Sequence, residues 1–143
     1  MVKVFVDTNI LIDFLSPSRG GHYISLDVFN IILSAKVEGQ LSTQSIMDAA
    51  YICSKEKGYD ANAFRETTQM LTLRTNVDAI GACHIRGALS NPDPDIEDNA
   101  QIEFAYDRVC DFFITNDQKL LNRKLPSPLK AMTPEQFVNC CKA

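Results

Sequence analysis

The stretch that decides the fold is "VKVFVDTNILIDFL", residues 2–15. Val2, Val4, Phe5 and Val6 form the β-branched and aromatic run of a buried strand. Ile10, Leu11, Ile12, Phe14 and Leu15 carry the apolar character on into a short helix starting near Thr8. Asp7 stands between the two. A buried charge is costly unless something pairs with it, so Asp7 either caps the following helix or helps to hold a cation. What else in the chain meets it decides between these readings.

Outward from that stretch, strand and helix signals alternate. "SPSRGG" (16–21) reads as a loop, and "YISLDVFNIILSAKVE" (23–38) lies in a helix running from about His22 to Glu38, with Gly39 as its stop. "QLST" (40–43) is a short strand, followed by a helix through about Lys57 that ends at Gly58. Residues 60–72 read as a helix, "LRTNVDAI" (73–80) as a third strand, and 81–90 as a helix. "SNPDPD" (90–95) is a loop and helix start; the helix from Ile96 to about Arg108 sets Ile102, Ala105 and Val109 on one face behind Asp98. "DFFIT" (111–115) is a buried strand, "NDQKLLN" (116–122) opens a helix, "PSPLKAM" (126–132) holds a last strand, and "TPEQFVNCCK" (133–142) is a Thr-capped terminal helix. This order predicts an α/β fold: a three-layer α/β/α sandwich around a parallel sheet of about four to five strands, with residues 1–143 forming one domain. Right-handed crossovers place the C-terminal ends of all the strands on one edge, where functional groups of such sheets gather.

Composition narrows the classes. The chain has 143 residues, 45% of them hydrophobic and 22% charged, which suits a globular domain with a sizeable core. No apolar run is long enough to span a bilayer, and the N-terminus does not read as a signal peptide. Five scattered cysteines without a CxxC fit reduced thiols, so a cytoplasmic location is expected. A net charge of −4 excludes a generically basic nucleic-acid binder. "DPDIED" (93–98) concentrates acids, whereas Lys119, Arg123, Lys124 and Lys130 form a basic run. No zinc spacing surrounds His22 or His84, and neither a phosphate-binding Gly loop nor a GxSxG is present.

Four carboxylates fall near the sheet's C-terminal edge: Asp7 after the first strand, Asp48 in the helix after "QLST", Asp98 in a helix's first turn, and Asp117 after "DFFIT". Each has an ordinary reading. Asp7 caps a helix, Asp98 with Asp95 and Glu97 complements a helix dipole, Asp117 follows a Thr115/Gln118 capping box, and Asp48 is a solvated helix residue. These readings do not explain why one edge collects all four. Two carboxylates about 4 Å apart repel by roughly 4 kcal/mol at an effective dielectric near 20. A hard divalent cation, Mg²⁺ or Mn²⁺, as one or two ions, relieves that repulsion.

"VFVDTNILIDFL" (4–15) resembles the opening of PIN-domain proteins, and "DIEDNAQIEFAYDRVCDFFITND" (95–117) resembles the family's second half, with Thr-x-Asp closing a strand. The resemblance extends over nearly the whole chain. It implies a metal-dependent endoribonuclease, with Asp7, Asp98 and Asp117 as the matched acids. The family's remaining acid is usually a Glu; "STQSIMDAAYI" (42–52) supplies Asp48, one methylene shorter. Asp95 and Glu97 lie near enough to share the role of Asp98. Asn9, Thr115 and Asp95 are expected to orient the acids, and Lys119, Arg123 and Lys124 to meet substrate phosphates. The implied partners are an RNA substrate, a protein antitoxin as for VapC-type toxins, and a second copy in a homodimer.

Two other readings compete. One is a PIN-like module that binds RNA or protein and cuts weakly or not at all. The other is a phosphatase of the haloacid-dehalogenase type, which calls for Asp-x-Asp where this chain has Asp7-Thr8-Asn9.

Overall fold

The first strand, β1 (Lys3–Val6), lies at the centre of a five-stranded parallel sheet in the computed structural model, which describes residues 1–142. After it come α1 (Thr8–Leu15), α2 (His22–Leu33), β2 (Glu38–Ser42), α3 (Thr43–Ser54), α4 (Ala61–Arg74) and β3 (Asn76–Asp78). The second half holds α5 (Ala82–Ser90), α6 (Ile96–Asp107), β4 (Phe112–Ile114), α7 (Gln118–Leu121), β5 (Lys130–Met132) and α8 (Pro134–Cys141). The sheet order is β3-β2-β1-β4-β5. Val4 stands opposite Gly39 of β2, and Phe5 opposite Phe113 of β4.

The alternation within "VFV" explains the three layers. Successive side chains of a strand point to opposite faces. Val4 and Val6 therefore join a core built from α1, α2, α3, α4 and α8, around Ile10, Leu11, Phe29, Ala49, Leu71 and Phe137. Phe5 points the other way, into a core of Ile102, Phe104, Ala105, Phe113 and Leu120 supplied by α6, β4 and α7. Phe5 packs against Phe104 and Phe113 at ring-centroid distances of 5.8 and 4.8 Å. Both faces of the sheet are covered, as the expected α/β/α sandwich requires. Among the described residues no helix is long and apolar enough to cross a membrane, and all five cysteines are free.

Three boundaries differ from the sequence reading. Helix α2 stops at Leu33, and Gly39 lies inside β2 rather than ending the helix. A Cβ at Gly39 would sit 2.6 Å from Ile32 Cγ2, so the glycine lets α2 pack closely on the sheet. Helix α3 ends at Ser54, short of Lys57. Val109 does not share the buried face of α6: it is 75% exposed with φ of 59°. There it closes a Schellman turn, in which Cys110 N donates to Ala105 O and Val109 N to Tyr106 O.

Candidate active site

Between β1 and β4 the order of the sheet reverses, since the chain leaves β1 toward β2 on one side and β4 pairs on the other. In open parallel sheets the crevice beyond the strand ends at such a reversal is where ligands bind. Asp7 ends β1 there, and its backbone N donates to Ile114 O of β4 at 3.0 Å. Its side chain is buried, and both carboxylate oxygens are held: Oδ1 accepts from Thr8 N at 2.7 Å and Oδ2 from Thr115 Oγ1 at 2.7 Å. Asp7 is therefore the N-cap of α1, and the capping reading holds for it. Capping uses one oxygen and leaves the burial of the charge unexplained.

Thr115 bridges the two strand ends. Its hydroxyl donates to Asp7 and accepts from Asp117 N at 3.0 Å. The expected capping box with Gln118 does not form. Asp117 itself caps α7, accepting from Lys119 N at 2.9 Å, because a carboxylate one residue before the helix reaches the first-turn amides better than Thr115 does. On α6, Asp95 is the N-cap and accepts from Asp98 N at 3.0 Å, which places Glu97 and Asp98 in the first turn. Asp48 is half-buried on α3 and accepts from Gln44 Nε2 at 3.1 Å.

The electrostatics shows which of these acids face one another. Burial pushes the Asp7 carboxyl above its ordinary value, partly offset by the bonds from Thr115 and Thr8, and Asp117 raises it further. Asp98 is pushed up to about 7, first by burial, then by Asp95, by a hydrogen bond to Asp95 that only protonated Asp98 can donate, and by Asp117 and Asp7. Glu97 is also raised, by burial and then by Asp48, Asp95 and Asp7. Every charge acting on these three carboxyls is another carboxylate. Asp7 and Asp98 thus both feel Asp117, and Asp98 also feels Asp7, while Asp48 acts on Glu97. Among the described residues, no three His, Cys, Asp or Glu side chains lie close enough to hold a metal ion as they stand. The donors are nevertheless all carboxylate oxygens, and the charges acting on them are other carboxylates, which is the chemistry a hard divalent cation suits.

The other expected residues divide. Asn9 is exposed, and its neighbour Thr8 occupies the buried position instead. Lys119 and Lys124 are exposed, Lys119 in the first turn of the helix that Asp117 caps, whereas the guanidinium of Arg123 turns inward onto Asn99 and Asp93. The sequence reading missed a buried polar layer beneath the acids. Thr8 Oγ1 meets Ser45 Oγ at 2.7 Å and accepts from Gln101 Nε2 at 3.3 Å, while Ser42 Oγ donates to Ser45 Oγ at 3.0 Å. Its signal was present in α6, where Asn99 and Gln101 interrupt a buried face that is otherwise apolar.

Other chemistry has no support in the geometry. His22 Nδ1 rests 2.9 Å from Asp13 O. His84 Nδ1 accepts from Gly81 N, and its Nε2 lies 2.9 Å from Asp107 Oδ2. This histidine lines a groove of about 560 Å³ with Cys83 and Cys110, but burial pushes the Cys110 thiol up to about 12, far from the thiolate a nucleophile needs.

A family model described as PIN domain matches residues 3–119. Ribonuclease VapC1 of Aquifex aeolicus (strain VF5) is 24% identical over 141 residues, covering 94% of this chain and 92% of that protein. Among solved structures, VapBC2 of Rickettsia felis, bound to a DNA fragment from its promoter, superposes with a TM-score of 0.60 at 15% identity, covering 92% of this chain and 98% of its own. The sarcin–ricin loop cleaving toxin VapC20 of Mycobacterium tuberculosis gives a TM-score of 0.63 at 11% identity, covering 80% of this chain and 90% of its own. At such identities the two structural likenesses establish the fold.

Proposed function

Since the chain belongs to the PIN-domain family, we propose that it is a divalent-metal-dependent endoribonuclease whose active centre is the acidic edge of Asp7, Asp48, Asp98 and Asp117. The observation that carries this reading is the charge pattern at the β1/β4 reversal: the charges acting on the buried Asp7 and half-buried Asp98 are all other carboxylates. A fold does not maintain such repulsion for stability's sake, and Mg²⁺ or Mn²⁺ offsets it. Such a cation supplies Lewis acidity, stabilising charge that builds on a phosphodiester and making water a competent nucleophile near neutral pH.

The protein's own part is positional. Thr115 ties the Asp7 carboxylate to the backbone of Asp117, so these two acids move as a unit. Asp95 fixes the first turn of α6, and with it the direction of Asp98 and Glu97. Glu97, whose carboxyl is raised by both Asp48 and Asp7, offers a further carboxylate where Asp48 is one methylene short. The exposed Lys119 and Lys124 take substrate phosphates. Similarity to ribonuclease VapC1 and to the toxin VapC20 supports RNA as substrate and a toxin role. Likeness to VapBC2 supports control by a protein antitoxin; a homodimer is the assembly the family resemblance implies.

The test is cleavage of structured RNA by the purified full chain with Mn²⁺ or Mg²⁺. Activity lost in EDTA, restored by metal and absent in Asp7→Asn is expected. Cleavage that persists in EDTA refutes the reading, and RNA binding without any cleavage favours the non-cutting PIN-like module.

A further inference from the structure

Arg123 sits just beyond α7, whose C-cap is Asn122, and its side chain is 18% exposed. Its Nη2 donates to Asn99 Oδ1, and its Nη1 lies 3.5 Å from Asp93 Oδ2. Asn99 is only 1% exposed and is fully engaged. Its Nδ2 donates to Ala88 O at 3.1 Å and to Asp93 O at 2.8 Å, so both amide hydrogens and the carbonyl oxygen have partners. Asp93 is held in turn, with Oδ1 accepting from Asp95 N at 2.9 Å while Asp93 N donates to Asn91 Oδ1 at 2.9 Å. These bonds link the end of α5, the 91–95 segment and the start of α6.

The guanidinium thus grips one residue before and one residue after the stretch that carries Asp95, Glu97 and Asp98. Its own backbone continues from α7, the helix that Asp117 caps. Asp98 and Asp117 therefore sit on two arms joined by Arg123. The two acids repel one another, so without a tie the first turn of α6 would move away from α7. A planar fork suits this task, since it meets two oxygens in fixed directions where an ammonium is a single point charge.

We propose that Arg123 is a positioning residue: forked between Asn99 and Asp93, it locks the start of α6 against α7 and so sets the spacing of Asp98 and Asp117. This rests on the reading of that edge as the cation-holding centre. It also replaces the expected role of Arg123 in gripping substrate phosphate, because the group that would meet a phosphate is spent inside the protein.

The test uses the full chain with Arg123→Lys, which keeps the charge, and Arg123→Met, which keeps the stem. Mn²⁺ affinity is measured calorimetrically without RNA, RNA affinity is measured in EDTA across a salt series, and kcat and KM are measured at saturating Mn²⁺. Both variants are expected to bind Mn²⁺ about 10–100-fold more weakly, as for other residues that orient metal ligands. RNA affinity in EDTA and its salt slope stay as in wild type, and kcat falls while KM does not change. If Arg123→Met does not fold, Arg123→Lys carries the test alone. Wild-type Mn²⁺ affinity in Arg123→Lys overturns the proposal. So does weaker RNA binding in Arg123→Met with a salt slope shallower by about 0.7, the mark of one lost phosphate contact to a single strand. Should wild type itself bind no Mn²⁺, the metal reading falls, and the tie is judged by hydrogen exchange: faster exchange at the Asp98 amide in Arg123→Lys supports it, and unchanged exchange overturns it.

Discussion

Replacing Asp98 with Asn removes one charge from the acidic edge and almost nothing else, so it measures the repulsion directly. The Asp98 carboxyl is pushed from an ordinary value of 3.8 up to about 7. A folded-state value above the unfolded one means that the stabilisation is complete below the unfolded value and is lost as pH rises through the folded one. At 1.36 kcal/mol per pH unit the full shift would correspond to about 4 kcal/mol, but Asp98 is only half-buried and water screens much of it. A discounted cost on the order of 1–2 kcal/mol remains for wild type at about pH 8. In EDTA, Asp98→Asn should therefore melt roughly 3–6 °C higher than wild type at that pH, and the two should converge near pH 4. Excess Mn²⁺ should reverse the order, because only wild type keeps the ligand and gains stability by binding. Thermal unfolding at the two pH values, with and without metal, is the assay. A variant less stable than wild type at pH 8, with the two converging near pH 4, would refute the reasoning, since Asp98 would then be a dipole-complementing residue of α6 and not part of a repelling cluster.

Three further outcomes are expected. Thr115→Val removes the buried hydroxyl that serves both Asp7 and Asp117, and chemical denaturation should show a loss of about 1.5–3 kcal/mol, the range for hydrogen bonds to charged groups. Val109→Gly should stabilise the protein by about 1 kcal/mol, because a β-branched residue holds φ of 59° at an exposed Schellman position where glycine carries no steric penalty; unchanged or lower stability in urea would contradict this. Mn²⁺ affinity should rise as pH increases through about 7, with a proton released on binding, because Asp98 must lose its proton to serve as a ligand; calorimetry in buffers of different ionisation enthalpy reads both effects.

Most of the architecture was legible because it rests on local periodicity. "VFV" alternates between the two cores, "DFFIT" does the same for β4, and the Thr133–Pro134 start of α8 announces its own cap. Helix ends were harder to read, and for a physical reason: Gly39 serves close packing of Ile32 rather than a turn, and Val109 adopts a conformation that sequence reading assigns to glycine. The acids were legible singly, as residues after strands or at helix starts. Which acid caps which helix was only partly legible: Asp7 is the expected cap of α1, whereas Asp117, not Thr115, caps α7 and Asp95 caps α6. The polar layer of Thr8, Ser45 and Gln101, and the inward turn of Arg123, depend on contacts between residues far apart in the chain, which no local pattern encodes.

The carboxylates at the β1/β4 reversal are proposed to hold a divalent cation. Crystals grown or soaked with Mn²⁺ test it most directly through the anomalous scattering of the metal. A peak bounded by Asp7, Asp98 and Asp117 is expected, lost in Asp98→Asn crystals treated identically. A peak elsewhere, or none at a Mn²⁺ concentration that supports RNA cleavage, would contradict it.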